Sequence, residues 1–250
     1  MSERPVIVVT GGSRGIGAAV AIKAAQAGYD VVVNYAGNAD AAKKTVAACE
    51  AAGAKAIAVQ ADVANQEGVE KVFKACDDAF GRLDAVVTNA GITGTASKLA
   101  DADPEMIKRV VDLNVTGALL TAREGAARMM TSRGGKGGNI VNLSSAAVWV
   151  GSPNEFVWYA TSKGSIDVLT LGLARELAAD GIRVNAVAPG LIDTDIHASA
   201  GIPDRIEKFG GSVPMKRGGT AEEVADAVIY LMSDQATYVT GTVLKVTGGR

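Results

Sequence analysis

Ser145, Tyr159 and Lys163 place a hydroxyl, a phenol and an ammonium in one short stretch of a 250-residue chain. Such a trio can move a proton to and from a substrate oxygen. The apolar spacing from Trp158 to Leu169 predicts a helix, which stacks Tyr159 and Lys163 one turn apart on one face. A free phenol titrates near ~10, too high to exchange protons readily at neutrality, and a fixed cation within about 4–6 Å lowers such a value by roughly 1–3 units. Lys163 is the expected cation. Ser145, closing a predicted strand, is expected to donate a hydrogen bond to a bound carbonyl as charge develops on it, with its neighbour Ser144 as the alternative. A Tyr-x-x-x-Lys pair also occurs on ordinary amphipathic helices, so these residues acquire meaning only with a second site to serve.

The N-terminus supplies one. Val6-Ile7-Val8-Val9 is an apolar β-branched run, followed by Thr10-Gly11-Gly12-Ser13-Arg14-Gly15-Ile16-Gly17 and an alanine-rich segment, Ala18 to Ala27, closed by Gly28. Strand, glycine loop, helix and stop follow in that order. Glycines let the backbone turn sharply and come close to a pyrophosphate, while the N–H groups opening the helix offer it positive potential. Between a strand and a helix the pattern reads as a dinucleotide-binding loop.

The elements that must carry these residues follow from the rest of the chain. Val31 to Val33 predicts a second strand, Ala39 to Ala52 a helix stopped by Gly53, and Ala56 to Val59 a third strand leading to Asp62-Val63. A helix from about Gln66 to Phe80 ends at Gly81, and Leu83 to Val87 is a fourth strand running into Thr88-Asn89-Ala90-Gly91. Asp103-Pro104-Glu105 is an N-cap with Pro at the first helical position. A long helix around Asn114 to Met130 follows, then a mobile loop, Gly134 to Gly138, and a fifth strand, Asn139 to Leu143. The Tyr159 helix stops at Gly181, Ile182 to Val187 and Val243 to Val246 are strands six and seven, and Thr220-Ala221-Glu222-Glu223 is a capping box opening a helix to about Met232. This alternation predicts an α/β class: a single-domain Rossmann fold over residues 1–250, with a doubly wound parallel sheet of about seven strands and helices on both faces. Ligands bind outside the carboxyl ends of such strands, where Gly11, Asp62, Asn89, Ser145 and Pro189 fall. The Gly and Pro breaks of 193–215 mark a substrate lid.

Composition narrows the classes further. Forty-eight per cent hydrophobic residues with only 4% aromatics fits helices packed on a parallel sheet, and a formal charge of −2 with mixed signs leaves no footprint for nucleic acid or an anionic membrane. Met1 to Pro5 leads straight into the first strand and no stretch approaches the ~20 apolar residues of a spanning helix, so a soluble, cytoplasmic protein is expected. Cys49 and Cys76 fall in separate predicted helices without metal-ligand spacing, and His197 is the sole histidine, so no metal site is expected. With Gly11 to Gly15 read as the dinucleotide loop, a hydrolase built on His197 is set aside.

Thr10-Gly11-x-x-x-Gly15-x-Gly17, Asn89-Ala90-Gly91, Asn114, Ser145, Tyr159-x-x-x-Lys163 and Pro189-Gly190 occur in the order and spacing of the short-chain dehydrogenase/reductase family. The chain resembles that family over nearly its whole length, and within it bacterial sugar dehydrogenases and 3-oxoacyl reductases. The resemblance implies hydride transfer between a nicotinamide and a carbonyl or secondary alcohol, with Tyr159 as general acid in reduction and general base in oxidation. It gives Ser145 the substrate-orienting role, although the count from Ser145 to Tyr159 is one residue longer than in some members. It assigns Lys163 a contact with the nicotinamide ribose and Asn114 a bound water linking Lys163 to solvent. Asp62, with Val63 beside it, resembles the acceptor of the adenine amino group. Asn89 resembles the residue that steadies the central sheet and lines the adenine-ribose site, with Ala90 beside it and Gly91 allowing close approach. Thr194, after Pro189, Gly190 and Ile192, resembles the threonine holding the nicotinamide carboxamide. A homotetramer is implied as well.

The cofactor's phosphate is a separate question. An NAD site carries an acid near the end of strand two to accept the ribose hydroxyls. Here Asn34-Tyr35-Ala36-Gly37-Asn38 is neutral, Asp30 lies at the wrong end of the strand, and Arg14 offers a guanidinium to a 2′-phosphate. NADP(H) is the expected preference, with NAD(H) as the alternative. Oxidation of a sugar or other alcohol is the second reading of direction, and a non-catalytic nicotinamide sensor the reading from another class. Trp149 and Phe156 read equally as substrate wall, subunit contact or core, and Glu155 as a polyol ligand or a solvated charge.

Overall fold

Strands without polar alternation need cover on both faces, and Val6 to Val9 and Asp30 to Asn34 are buried throughout. The computed structural model describes residues 3–250 apart from the side chains of His197 and Ser199, so Met1 and Ser2 of the expected lead into the first strand lie outside the described residues. In chain order the first half holds β1 (Val6–Val9), α1 (Gly15–Gln26), β2 (Asp30–Tyr35), α2 (Ala39–Ala51), β3 (Ala56–Gln60), α3 (Gln66–Phe80), β4 (Ala85–Thr88), α4 (Pro104–Val111) and α5 (Ala118–Met129). The second half holds β5 (Gly138–Leu143), α6 (Ala147–Val150), α7 (Val157–Leu177), β6 (Ile182–Pro189), α8 (Ile196–Ser199), α9 (Arg205–Phe209), α10 (Ala221–Met232) and β7 (Val243–Val246).

The seven strands pair in parallel in the order β3-β2-β1-β4-β5-β6-β7. Helices cover both faces. Ile7 and Val9 of β1 join a core with Val20 and Ala24 of α1 and Val224 and Val228 of α10. Val6 and Val8 point the other way, into a core with Val72 and Phe73 of α3, Met129 of α5 and Leu177 of α7. The chain leaves β1 toward β3 on one side and resumes with β4 on the other, so the order reverses between β1 and β4. That reversal splays the loops after the two strands and opens a crevice at their carboxyl ends.

Local signals hold at most boundaries. Asp103 caps α4 by accepting from Glu105 N (3.1 Å) with Pro104 at the first position, Thr220 and Glu223 form the expected capping box, and Gly81 closes α3 in a left-handed conformation. Three features differ from the sequence reading. Pro104 to Met129 is one helical run interrupted by a π turn, Asp112–Gly117, where a plain helix was expected from Asn114. The glycine run before β5 is tied down, Gly135 N donating to Met130 O (2.9 Å) and Gly137 N to Met129 O (2.8 Å), so glycine there serves close backbone approach. The short helix α6, directly after Ser145, had no sequence signal.

Candidate active site

A cavity of about 660 Å³ runs along the carboxyl ends of the strands from the β1–α1 loop to the Tyr159 helix. Gly11, Ser13, Arg14, Gly15, Ile16 and Gly17 line one end. A side chain at Gly17 is impossible without movement, since its Cβ would lie 2.3 Å from Gly11 O and 2.5 Å from Asn89 Nδ2. Asn89 bridges the two splayed loops, its Nδ2 donating to Thr10 O (2.9 Å) and Gly11 O (3.1 Å). Asn34 performs the same service from β2: its Oδ1 accepts from Gly11 N (3.2 Å), and its Nδ2 donates to Ala61 O (3.0 Å) and Val59 O (3.3 Å). The buried amide is thus taken up in holding the loop. Asp62 is exposed on the wall next to buried Val63 and accepts from Ala64 N (3.0 Å), while Asn65 caps α3, so Asp62 is not the N-cap. Ala90, Gly91, Pro189, Gly190 and Ile192 continue the lining, and Thr194 lies against Gly15, 3.4 Å from where a Cβ would be.

The residues fit a nicotinamide dinucleotide. The N-terminus of α1 opens at the cavity with no side-chain cap and no acid in its first turn, leaving its positive end for a pyrophosphate.

At the other end Ser145, Tyr159 and Lys163 come together. Tyr159 and Ser145 both line this end, and Ser145 Oγ accepts from Ala147 N (3.1 Å) at the start of α6. Ser144, the alternative, donates to Asp167 Oδ1 (2.5 Å). Lys163 Nζ donates to Leu143 O (2.6 Å) and lies over the Tyr159 ring, 5.8 Å from its centroid. Asn114 stands behind this wall, 1% exposed: its Oδ1 accepts from Ile92 N (2.9 Å), and its Nδ2 donates to Ile92 O (2.9 Å) and Ser162 Oγ (3.0 Å). Gly91 lies between Asn114 and Lys163, since a Cβ there would be 3.1 Å from Asn114 Oδ1 and 3.6 Å from Lys163 Nζ.

The electrostatics correct one expectation. Lys163 does not bring the Tyr159 phenol down: burial raises it above the ordinary 10.0, and the hydrogen bond with Ser145 opposes that only in part. Lys163 is itself desolvated, and burial lowers it to about 8 against the opposing charge of Asp167.

A family model described as enoyl-(acyl carrier protein) reductase matches residues 11–250. The chain is 49% identical to YgfF, an uncharacterized oxidoreductase of Escherichia coli, over 98% of this chain and 99% of that protein. The chain belongs to the short-chain dehydrogenase/reductase family. As a short-chain dehydrogenase/reductase it is a nicotinamide-dependent oxidoreductase of carbonyl or alcohol groups. It is 39% identical to glucose 1-dehydrogenase 2 of Bacillus subtilis over 97% of this chain and 93% of that one. Two solved structures of the family superimpose closely: an NAD+-bound xylitol dehydrogenase (TM-score 0.89, 30% identity, 98% of both chains) and a short chain dehydrogenase from Burkholderia cenocepacia in complex with NADP (TM-score 0.88, 34% identity, 98% and 97%).

The part of this short-chain dehydrogenase/reductase beyond Tyr159 was the least legible. Phe156 is cavity wall and core at once, packed with Met106, Val110, Trp158 and Ala200. Trp149 is outside the cavity, 39% exposed, with Lys245 Nζ 4.3 Å from its ring centroid. Glu155 is half-buried and paired: Arg205 of α9 donates to both its oxygens, at 3.2 and 2.7 Å. Arg205 and Met106 were missed as lining residues. The apolar face of α4 could have pointed to Met106, whereas nothing local marks Arg205, whose contact joins segments fifty positions apart. His197 lies in α8, and its side chain is outside the described residues. No helix among the described residues is long and apolar enough to cross a membrane.

Proposed function

We propose that the protein is an NADPH-dependent carbonyl reductase in which Tyr159 donates the proton. The observation that carries this reading is that Ser145, Tyr159 and Lys163 line the far end of a cavity that begins at the glycine loop, with Lys163 Nζ 5.8 Å from the Tyr159 ring centroid. When bound, the nicotinamide supplies the hydride. Ser145 holds the carbonyl oxygen against the Tyr159 hydroxyl, which gives up its proton as charge develops there. Lys163 meets the nicotinamide ribose. Asn114 keeps Ile92 and Ser162 in place around Lys163 and passes protons to it through water. Near neutrality the buried phenol carries its proton, the form that reduction uses. Oxidation of a secondary alcohol is the second reading, supported by the likeness to glucose 1-dehydrogenase 2 and to xylitol dehydrogenase.

NADP(H) is preferred over NAD(H) in this reading because the wall after β2 is built from Tyr35, Ala36, Gly37 and Asn38, without an acid, and exposed Arg14 lines the same end. The wall contacts assigned to Ser13, Ile16, Asp62, Val63, Ala90, Ile192 and Thr194 belong to the same proposal. We further infer a cytoplasmic homotetramer of single-domain subunits with 193–215 as the lid. Free buried Cys49 and Cys76 support the compartment, and exposed Leu119 on α5 with Val168 and Leu171 on α7 support packing of helices between subunits. A panel of ketones, aldehydes and secondary alcohols, followed by nicotinamide absorbance with NADPH and NADH, tests the activity. Cofactor binding without turnover of any member would sink it. Light scattering tests the assembly, and a stable monomer at micromolar concentration removes it.

A further inference from the structure

Among the described residues, Arg205 is, apart from Lys163, the one charged side chain lining the cavity that is not exposed: Arg14, Asp62, Arg109, Asp195 and Arg250 all reach water. The Arg205 side chain is 14% exposed. Its Nη1 and Nη2 donate to the two oxygens of Glu155, and its Cζ lies 5.6 Å from the Phe156 ring centroid and 5.3 Å from that of Phe209. A guanidinium held this way by a carboxylate and two rings brings no net charge to the cavity. Met106, Val150, Phe156, Ile196 and Ala200 add apolar surface to the lining.

We propose that Glu155 is a specificity-determining residue: by pairing with Arg205 it keeps the substrate end neutral, so that the enzyme takes uncharged, mainly apolar ketones and rejects analogues bearing a carboxylate. The proposal rests on the carbonyl-reductase reading. An anionic substrate would set two carboxylates against one guanidinium, or would have to displace Glu155 and forfeit its two-point contact with Arg205, and either arrangement is unfavourable. The rejection is therefore built from repulsion, with no added contact to the accepted ligand.

Acetophenone and its para-carboxylate form a matched pair of probes, and their affinities for the NADPH-loaded protein can be measured by calorimetry without relying on turnover. The wild-type protein should bind acetophenone about tenfold or more tightly than the carboxylate. Glu155→Gln, which leaves Arg205 unneutralised, should shift that ratio about tenfold toward the carboxylate, and adding Arg205→Met should abolish the shift. A wild-type preference for the carboxylate overturns the proposal, as does an unchanged ratio in Glu155→Gln that unfolds at the wild-type temperature. Should that variant not fold, the wild-type ratio decides alone. Turnover of acetophenone is scored separately, so a neutral preference in binding without reduction would count against the reductase reading and leave the role of Glu155 standing.

Discussion

The two ends of the cavity are made of different material. The cofactor end is backbone: Asn89 stitches the loop after β4 to the loop after β1, the buried amide of Asn34 ties the loop after β1 to the end of β3, and Gly17 permits a contact no side chain would allow. The far end is side chain: Phe156, Met106 and Ala200 pack into a small separate core, and an ion pair between Glu155 and Arg205 joins α9 to the loop before α7. Backbone networks fix a ligand shared by many enzymes, whereas side-chain walls can be rebuilt for one substrate without disturbing the sheet. Tyr159 stands at the junction of the two.

Tyr159→Phe should separate the ends most sharply. Removal of the proton donor is expected to lower kcat by about 10²–10⁴-fold while cofactor affinity, measured by fluorescence titration, stays near the wild-type value; retention of most activity would falsify the assignment. Gly17→Ala strikes the backbone end alone. Its Cβ would press on Gly11 O, so a loss of about 1–3 kcal/mol in stability and a larger loss of cofactor affinity are expected in thermal unfolding and titration. A variant with normal cofactor binding would show the loop to be more pliable than its contacts imply. Arg14→Ala should weaken NADPH about tenfold and NADH little, the scale of one charge-assisted phosphate contact. Equal weakening, or tighter NADH binding by the wild-type protein, reverses the preference.

The smallest effect concerns pH. Lys163 is lowered to about 8, so it is charged below that value and neutral above it. If its ammonium meets the ribose, cofactor affinity should hold steady at lower pH and fall a few-fold as pH rises through about 8. Lys163→Met should flatten the curve, and an inflection that survives in that variant must belong to another group.

The same division governs what the sequence discloses. Strand, glycine loop and helix at Val6 to Gln26, the cap at Asp103 and the capping box at Thr220, and the carboxyl-end positions of Gly11, Asn89 and Ser145 follow from local chemistry, because turns, caps and β-branched runs act over a few residues. The resemblance of motifs added Asn114, which spacing alone leaves as a polar surface residue and the fold buries. The Glu155–Arg205 pair was invisible because it depends on how 193–215 folds back over α7, and no local rule sets that path. The phenol of Tyr159 was misjudged for a related reason: i, i+4 spacing reports that a cation is near, while the desolvation of both groups is a property of the packed whole.

The π turn at Asp112–Gly117 makes the helix from Pro104 to Met129 a part with two timings. A π turn holds one residue more than the α-helical turn it replaces, and each residue of an α-helix advances about 100°. The half carrying Met106 and Val110 is thereby dialled to face Phe156 and Trp158, while the half carrying Ala126 and Met129 is dialled to face the sheet. Asn114 sits at the joint between the two settings. Loss of a single residue there would leave both halves helical and swing one of them about a quarter turn or more, taking Met106 off the substrate wall without touching a residue that meets the substrate.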